Sequence, residues 1–383
     1  MKIDVWKMGF LVMMIGMMSC VDPYDPNIDE GVSVLVVDGA ITDLPGPYTV
    51  KLSKSTDLLR PLKMPYPGCT VAIEDNMGHS EELKEVSEGM YQTDSTGIQG
   101  VVGRKYRLII QTPDGEVFTS APETLLKGVG IADVYPEHVQ YTDPEYPEGR
   151  EGYRFYLDTE TPPTDTNYYM WSLTSTYKFR TDFNIYFYFD GQLKVFPDAD
   201  SLAVCYRTEP IKELYTLNTA EQTQPTVHHM ALNFEDTYSK ALTMRYSLLA
   251  RQYTLHKDAY TYWNKIKLLY ENQGSLYEHQ PFPVRGNVVN ETHPDIPAYG
   301  YFMVAGVSEK RIFVDRLYTA FHYDVCVIGE PEMRAYSYIR YTRPIEWPVY
   351  VTMSSTGARA IVNASCVDCR VDGDLEKPSF WIE

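Results

Sequence analysis

Apolar and polar positions alternate in short runs through the first third of the chain. The segments VSVLVVDGAIT, YTVKLSKS, TVAIED, YRLIIQT and EVFTSA are rich in β-branched and aromatic residues and are separated by turn residues. Period-two alternation of this kind predicts strands. Pro113-Asp114-Gly115 lies between the last two runs and predicts a hairpin. There Tyr106, Leu108 and Ile110 share one face, with Arg107 and Gln111 on the other. The spacing predicts a small β-sandwich of about seven strands over residues 32–125.

After the loop Leu126–Ile131 the β style continues with more aromatic residues. YYMWSLTSTYKF places Trp171, Leu173, Tyr177 and Phe179 on one face. DFNIYFYFDG puts Phe183, Ile185, Phe187 and Phe189 together, and Asp190-Gly191 turns the chain into QLKVF. Such a face is read as core before it is read as a ligand platform. One stretch breaks the pattern: Ala259, Trp263, Ile266 and Tyr270 recur at helical spacing, with Lys257, Asn264, Lys267 and Glu271 toward water and Gly274 as a stop. This predicts one amphipathic helix near 257–273 lying on a sheet. Beyond QPFPVRGNV the chain is irregular, then returns to strands at YFMVAGVSEKRIFV and VYVTM. No internal repeat appears. The expected fold is mainly β: a small sandwich over 32–125, then a larger β-rich domain over 126–383 carrying the helix.

The amino end follows another pattern. The apolar run Met8 to Met18 would rise ~16 Å as a helix, about half of the hydrocarbon thickness. With Lys2 and Lys7 ahead of it, it reads as an export signal. The run ends at Ser19-Cys20 instead of an A-x-A-like site, the arrangement of a lipoprotein signal. Residues 1–19 are therefore expected to be removed, and Cys20 to carry a thioether-linked lipid. The acidic, proline-bearing segment 20–31 then reads as a solvated tether. Asp25-x-Asn27-x-Asp29 has alternating oxygen ligands, but Gly31 comes one place late for a calcium loop and Val36 stands where it needs an acidic ligand.

Charge narrows the partners. Loss of residues 1–19 removes Lys2, Lys7 and Asp4 and takes the net charge from −18 to −19. An acidic chain without a basic patch argues against nucleic acid and against charge-driven adsorption to anionic lipid. The membrane is reached through the lipid alone. Tyrosine is abundant, 32 against 14 Phe. Many belong to strands; those expected on exposed loops, such as Tyr141, Tyr146 and Tyr299, are the candidates for ligand or partner contact.

Six cysteines become five once Cys20 is lipidated, so at least one is unpaired within a monomer. Cys366-Val-Asp-Cys369 is expected to close a local structural disulfide ahead of free thiols or a metal site, because no second pair or nearby histidine completes a zinc set. No catalytic residues are expected. G-x-S-x-G and H-E-x-x-H are absent, and His228-His229, adjacent on a strand, would point to opposite faces. No cofactor or metal is expected.

Several segments in order carry a resemblance. They are Ser19-Cys20 with VDPYDP, VVDGAIT, Gly89-Met90-Tyr91, YRLIIQTPDGEVFTS, RQYTL with AYTYW, QPFPVRGNV, GYF before VSEKRIFV, and the terminal CVDCRVDGDLEKPSFW. Together they resemble the Bacteroidota lipoproteins of the domain-of-unknown-function family DUF4249, over Cys20 to Trp381. The first domain also resembles small Ig-like or carboxypeptidase-regulatory-like sandwiches found beside outer-membrane transporters. The resemblance implies an outer-membrane, surface-exposed lipoprotein that travels with a TonB-dependent barrel and brings no catalytic residues with it. The expected function is accessory binding or gating of a ligand over that barrel. The alternative is a free-standing adhesin or glycan-binding module; a degradative hydrolase ranks third.

Overall fold

The computed structural model describes residues 34–55, 63–162, 167–222, 225–271, 284–328 and 337–383. Signal, lipidation site Cys20, tether and the expected helix stop Gly274 lie outside the described residues. Among the described residues, no helix is long and apolar enough to cross a membrane.

The chain is mainly β. It opens with β1 (Val34–Thr42), β2 (Thr49–Ser55), β3 (Lys63–Pro65), β4 (Thr70–Asp75), β5 (Ser80–Glu82), β6 (Lys84–Ser87), β7 (Met90–Gln92), β8 (Lys105–Gln111), β9 (Val117–Ser120) and β10 (Glu123–Thr124). Then come β11 (Ile131–Asp143), β12 (Tyr146–Thr159), β13 (Tyr168–Arg180), β14 (Phe187–Phe189), β15 (Leu193–Val195), β16 (Val204–Asn218), β17 (Met230–Asp236) and β18 (Arg245–Thr254). Helix α1 (Lys257–Glu271) precedes β19 (Val288–Asn290) and β20 (Tyr299–Asp315). The last strands are β21 (Val349–Met353) and β22 (Arg359–Ile361).

Two sandwiches share one long sheet in the order β16-β13-β18-β20-β1-β2-β7-β6. In the first, β1, β2 and β7 face the sheet of β4, β8 and β9. Its core holds Val37, Ile41, Leu52, Ile73 and the hairpin residues Tyr106, Leu108 and Ile110, all but excluded from solvent. Each buried apolar side chain of this size contributes about 1.5–3 kcal/mol against exposure. In the second, β13, β16 and β18 face the three-stranded sheet β11-β12-β17. Trp171, Leu173, Tyr177 and Phe179 line that core as their alternation predicts.

β20 joins the two. Its first half, Tyr299 to Ala305, runs parallel to β1, and from Gly306 to Asp315 it pairs antiparallel with β18. At the switch, segment 126–128 crosses β20 so closely that a Cβ on Gly306 would collide with the main-chain nitrogen of Gly128. Segments far beyond residue 125 also build the first sandwich. β19 pairs with β9, and Val288, Phe302 and Val304 complete the first core.

Helix α1 lies on the opposite face of the shared sheet, where Ala259, Tyr262 and Trp263 pack with Met170, Tyr301 and Met303. Its docking differs from the expected face. Tyr270 is 68% exposed, and Asn264, expected in water, accepts from Thr216 Oγ1 at 2.9 Å. The helix meets the sheet through its first turns, while Leu268 and Tyr270 in its last turn are exposed. The DFNIYFYFDG stretch also differs: only Phe187–Phe189 pairs as strand, and Ile185 and Phe189 enter separate small cores. These belong to a four-stranded sheet, β15-β14-β21-β22.

The local Cys366–Cys369 disulfide is corrected. Cys369 bonds to Cys205 on β16, and Cys366 bonds to Cys326. The two cysteines sit in separate 3₁₀ turns, Ala364–Cys366 and Cys369–Val371, and the Cys369 amide donates to Leu202 O at 2.9 Å, which holds that turn against the start of β16. Cys69 is buried and unpaired, and its thiol is pushed up to about 11 by burial.

Candidate binding face

The outer face of the β11-β12-β17 sheet gathers aromatic and arginine side chains. Inner positions of β12 are Phe155 and Leu157, both fully buried, so alternation turns Arg150, Arg154 and Tyr156 outward. Register brings the matching positions alongside. Tyr135 stands opposite Tyr156, Glu137 opposite Arg154, Tyr141 opposite Arg150, and Phe234 opposite Arg154 from the other side. Gly152 occupies the outer position between the two arginines. A Cβ there would collide with the carbonyl of Glu235, so the close approach of β17 depends on glycine.

Three rings stack at one end. His229 lies 3.8 Å from Tyr156 with 7° between planes, and Tyr135 lies 6.0 Å from Tyr156. His229 holds the left-handed backbone, φ 54°, and its N–H donates to Asp158 Oδ1 at 2.7 Å. Its ring Nε2 is 3.1 Å from Glu137 Oε1. The two adjacent histidines precede β17 and are not on a strand: the His229 ring joins this stack, and His228 Nδ1 stands 3.9 Å from Asp158. Burial raises the Tyr135 hydroxyl above its ordinary value, reinforced by the charge of Asp158.

At the other end Arg150 lies between the rings of Tyr146, 4.8 Å away, and Phe234, 5.1 Å away, while Arg154 sits 4.9 Å from Phe234. Cation–π contacts at such exposed sites are worth about 0.5–1 kcal/mol each. Arg150 is also paired through Nε and Nη2 to Asp236 Oδ2, the Nε distance being 2.7 Å. Burial pulls its pKa down, but the Asp236 hydrogen bond and charge outweigh this and hold it above its ordinary value. Tyr146 meets Tyr238 edge-on at 4.5 Å, and Tyr141 meets Phe234 at 5.6 Å. These contacts hold the side chains in place, the arrangement that lowers the ordering cost of any contact made there.

Two of the three tyrosines singled out from sequence, Tyr141 and Tyr146, thus come together on this face. They stand on the strands of the β11–β12 hairpin, not on loops. Tyr299 lies elsewhere, at the start of β20 beside Val36. Tyr135, Tyr156, Phe234 and both arginines were missed by the sequence reading, although alternation in YRFYLDT carries Arg154 and Tyr156 on one side. Among the described residues, no three His, Cys, Asp or Glu side chains are grouped to hold a metal ion.

The family model described as Domain of unknown function (DUF4249) matches residues 21–311, a span that reaches into β20 and contains the whole of this face. No curated protein matches the chain.

Proposed function

The chain belongs to that family, and on this premise we propose that it is a lipid-anchored, non-catalytic accessory protein of an outer-membrane transport complex, engaging a TonB-dependent barrel from the cell surface. The observation that carries this reading is the outward aromatic and arginine face of β11, β12 and β17. Tyrosine and arginine are the residue types that dominate contact energy at protein interfaces, most of all where neighbouring groups already hold them in place. The acidic segment after Cys20 supplies the leash. A tethered protein meets its partner at high effective concentration, so a modest contact area suffices for a standing complex. In that position the two sandwiches sit over the barrel mouth and bind or gate its ligand.

The test is native purification from gently solubilised outer membranes with a tag after Glu383, bands being identified by mass spectrometry. A TonB-dependent barrel recovered in stoichiometric amount, and lost with Arg154→Ala plus Tyr156→Ala, is the expected result. A tagged protein that comes out alone overturns the proposal.

A further inference from the structure

A second feature lies away from this face, on the four-stranded sheet. Tyr188 of β14 and Tyr350 of β21 are direct cross-strand partners, so their rings rise from the same side. Phe196 stands between them, 6.2 Å from Tyr188 at 84° and 5.9 Å from Tyr350 at 80°. With Pro197, Pro348 and Asp190 these rings wall a pocket of about 420 Å³, inside the usual range of roughly 300–1,000 Å³ for small-molecule sites. The Tyr350 hydroxyl takes a hydrogen bond from Arg370 Nη2 at 3.2 Å, and Arg370 is itself held by Asp368 at 2.8 and 2.9 Å. That wall is fixed from behind.

The polar groups at the rim select the ligand. Asp190 Oδ2 accepts from Lys194 Nζ at 2.7 Å, and the same ammonium lies 5.7 Å from the Tyr188 ring. Lys194 already neutralises Asp190, so the rim offers an ionic ligand no uncompensated charge of either sign. A neutral ligand with an apolar face and a rim of hydroxyls needs none. Its C–H face can lie on the rings while a hydroxyl donates to Asp190. We propose that this pocket is a saccharide site that takes a neutral pyranose unit, with Tyr188, Phe196 and Tyr350 as the stacking walls and Asp190 as the hydroxyl partner. The site stands independently of the transport reading: sugar binding can fail while the barrel is recovered, and the converse.

The experiment is saturation-transfer NMR and calorimetry on the full-length protein in a polyoxyethylene detergent, which carries no sugar headgroup. The probes are methyl α-glucopyranoside, methyl β-galactopyranoside, methyl α-mannopyranoside, N-acetylglucosamine and their disaccharides, with tetramethylammonium chloride as the cationic probe. The expected result is saturation transfer to the ring C–H protons of at least one sugar. Affinity should fall about tenfold or more in Phe196→Ala and Tyr350→Ala, survive in Tyr350→Phe, and be unchanged in Tyr318→Ala, at an exposed position outside both faces. If Phe196→Ala does not fold, Asp190→Asn replaces it, with weakened binding expected. The proposal is overturned if no sugar of the panel binds, if binding ignores the pocket variants, or if tetramethylammonium binds in place of the sugars.

Discussion

The indole N–H of Trp171 donates to Gln252 Oε1 at 2.8 Å, and neither side chain has any exposed surface. The other end of the same amide, Nε2, donates to the carbonyl of Val129 at 2.8 Å. One glutamine thus ties β13 and β18 to the segment that links the two sandwiches. Gln252→Leu leaves an indole donor and a carbonyl buried without partners, at about 1–3 kcal/mol each. A loss of about 2–5 kcal/mol in urea denaturation is expected. A loss below about 0.5 kcal/mol would mean that the network contributes nothing to stability.

Asp43 makes a second tie. Its Oδ1 accepts the N–H of Val307 at 2.6 Å and its Oδ2 that of Gly128 at 3.2 Å, so one carboxylate holds both segments of the crossing. Asp43→Ala should expose these two amides first. Hydrogen exchange at Gly128 and Val307 is expected to accelerate by at least about tenfold while amides in β8 keep their protection. Uniform acceleration across the chain would instead indicate global destabilisation.

The disulfides make a covalent prediction. Peptide mapping without reduction should yield Cys205–Cys369 and Cys326–Cys366, and no Cys366–Cys369 species. The first closes a span of 164 residues and the second one of 40, which on loop entropy alone correspond to about 5 and about 4 kcal/mol. Cys69, buried and with its thiol pushed up to about 11, should take iodoacetamide only after denaturation. Labelling in the folded protein at neutral pH would contradict its placement.

Glu235 on β17 gives the fold a pH dependence. Burial lifts its carboxyl to about 7, the charges of Asp236, Glu209 and Glu213 add to the rise, and the Ser239 hydroxyl, at 2.7 Å, opposes it. In the unfolded chain the group ionises near its ordinary 4.5. Between those values the folded protein binds the proton and the unfolded chain does not, so the contribution is full below about 4.5 and is lost as pH rises to about 7. Glu235→Gln, neutral throughout, should abolish that slope and exceed the parent in stability above pH 7. Denaturation midpoints from pH 4 to 8 with equal slopes in both proteins would refute it.

Much of the fold was legible because local chemistry decided it. Alternation placed Tyr106, Leu108 and Ile110 inside, and Pro113-Asp114-Gly115 turns β8 into β9 through Thr112 and Glu116. The helix start was legible for the same reason. What escaped was settled at long range. Cys369 finds Cys205 and not its near neighbour Cys366, because each cysteine sits in its own 3₁₀ turn and the Cys369 turn is held against the start of β16, a contact the local pattern does not record. Tyr141 and Tyr146 resembled loop residues because acidic and proline neighbours obscured their alternation, and the pairing that makes them strands comes from the hairpin partner. The outer face was illegible as a site because its members belong to three strands that only tertiary pairing brings together.

The parallel pairing of β1 with β20 has a consequence for how the protein is made. Val36 lies opposite Tyr299, 263 positions later, and the same offset holds along the ladder to Thr42 and Ala305. A chain delivered head-first presents β1 long before its second neighbour exists, and a strand waiting with one open edge invites pairing with other chains. The first sandwich therefore cannot close as an early, finished unit. Its completion waits for segments beyond Val288, which puts a premium on holding the emerging chain apart from its siblings until nearly all of it has arrived.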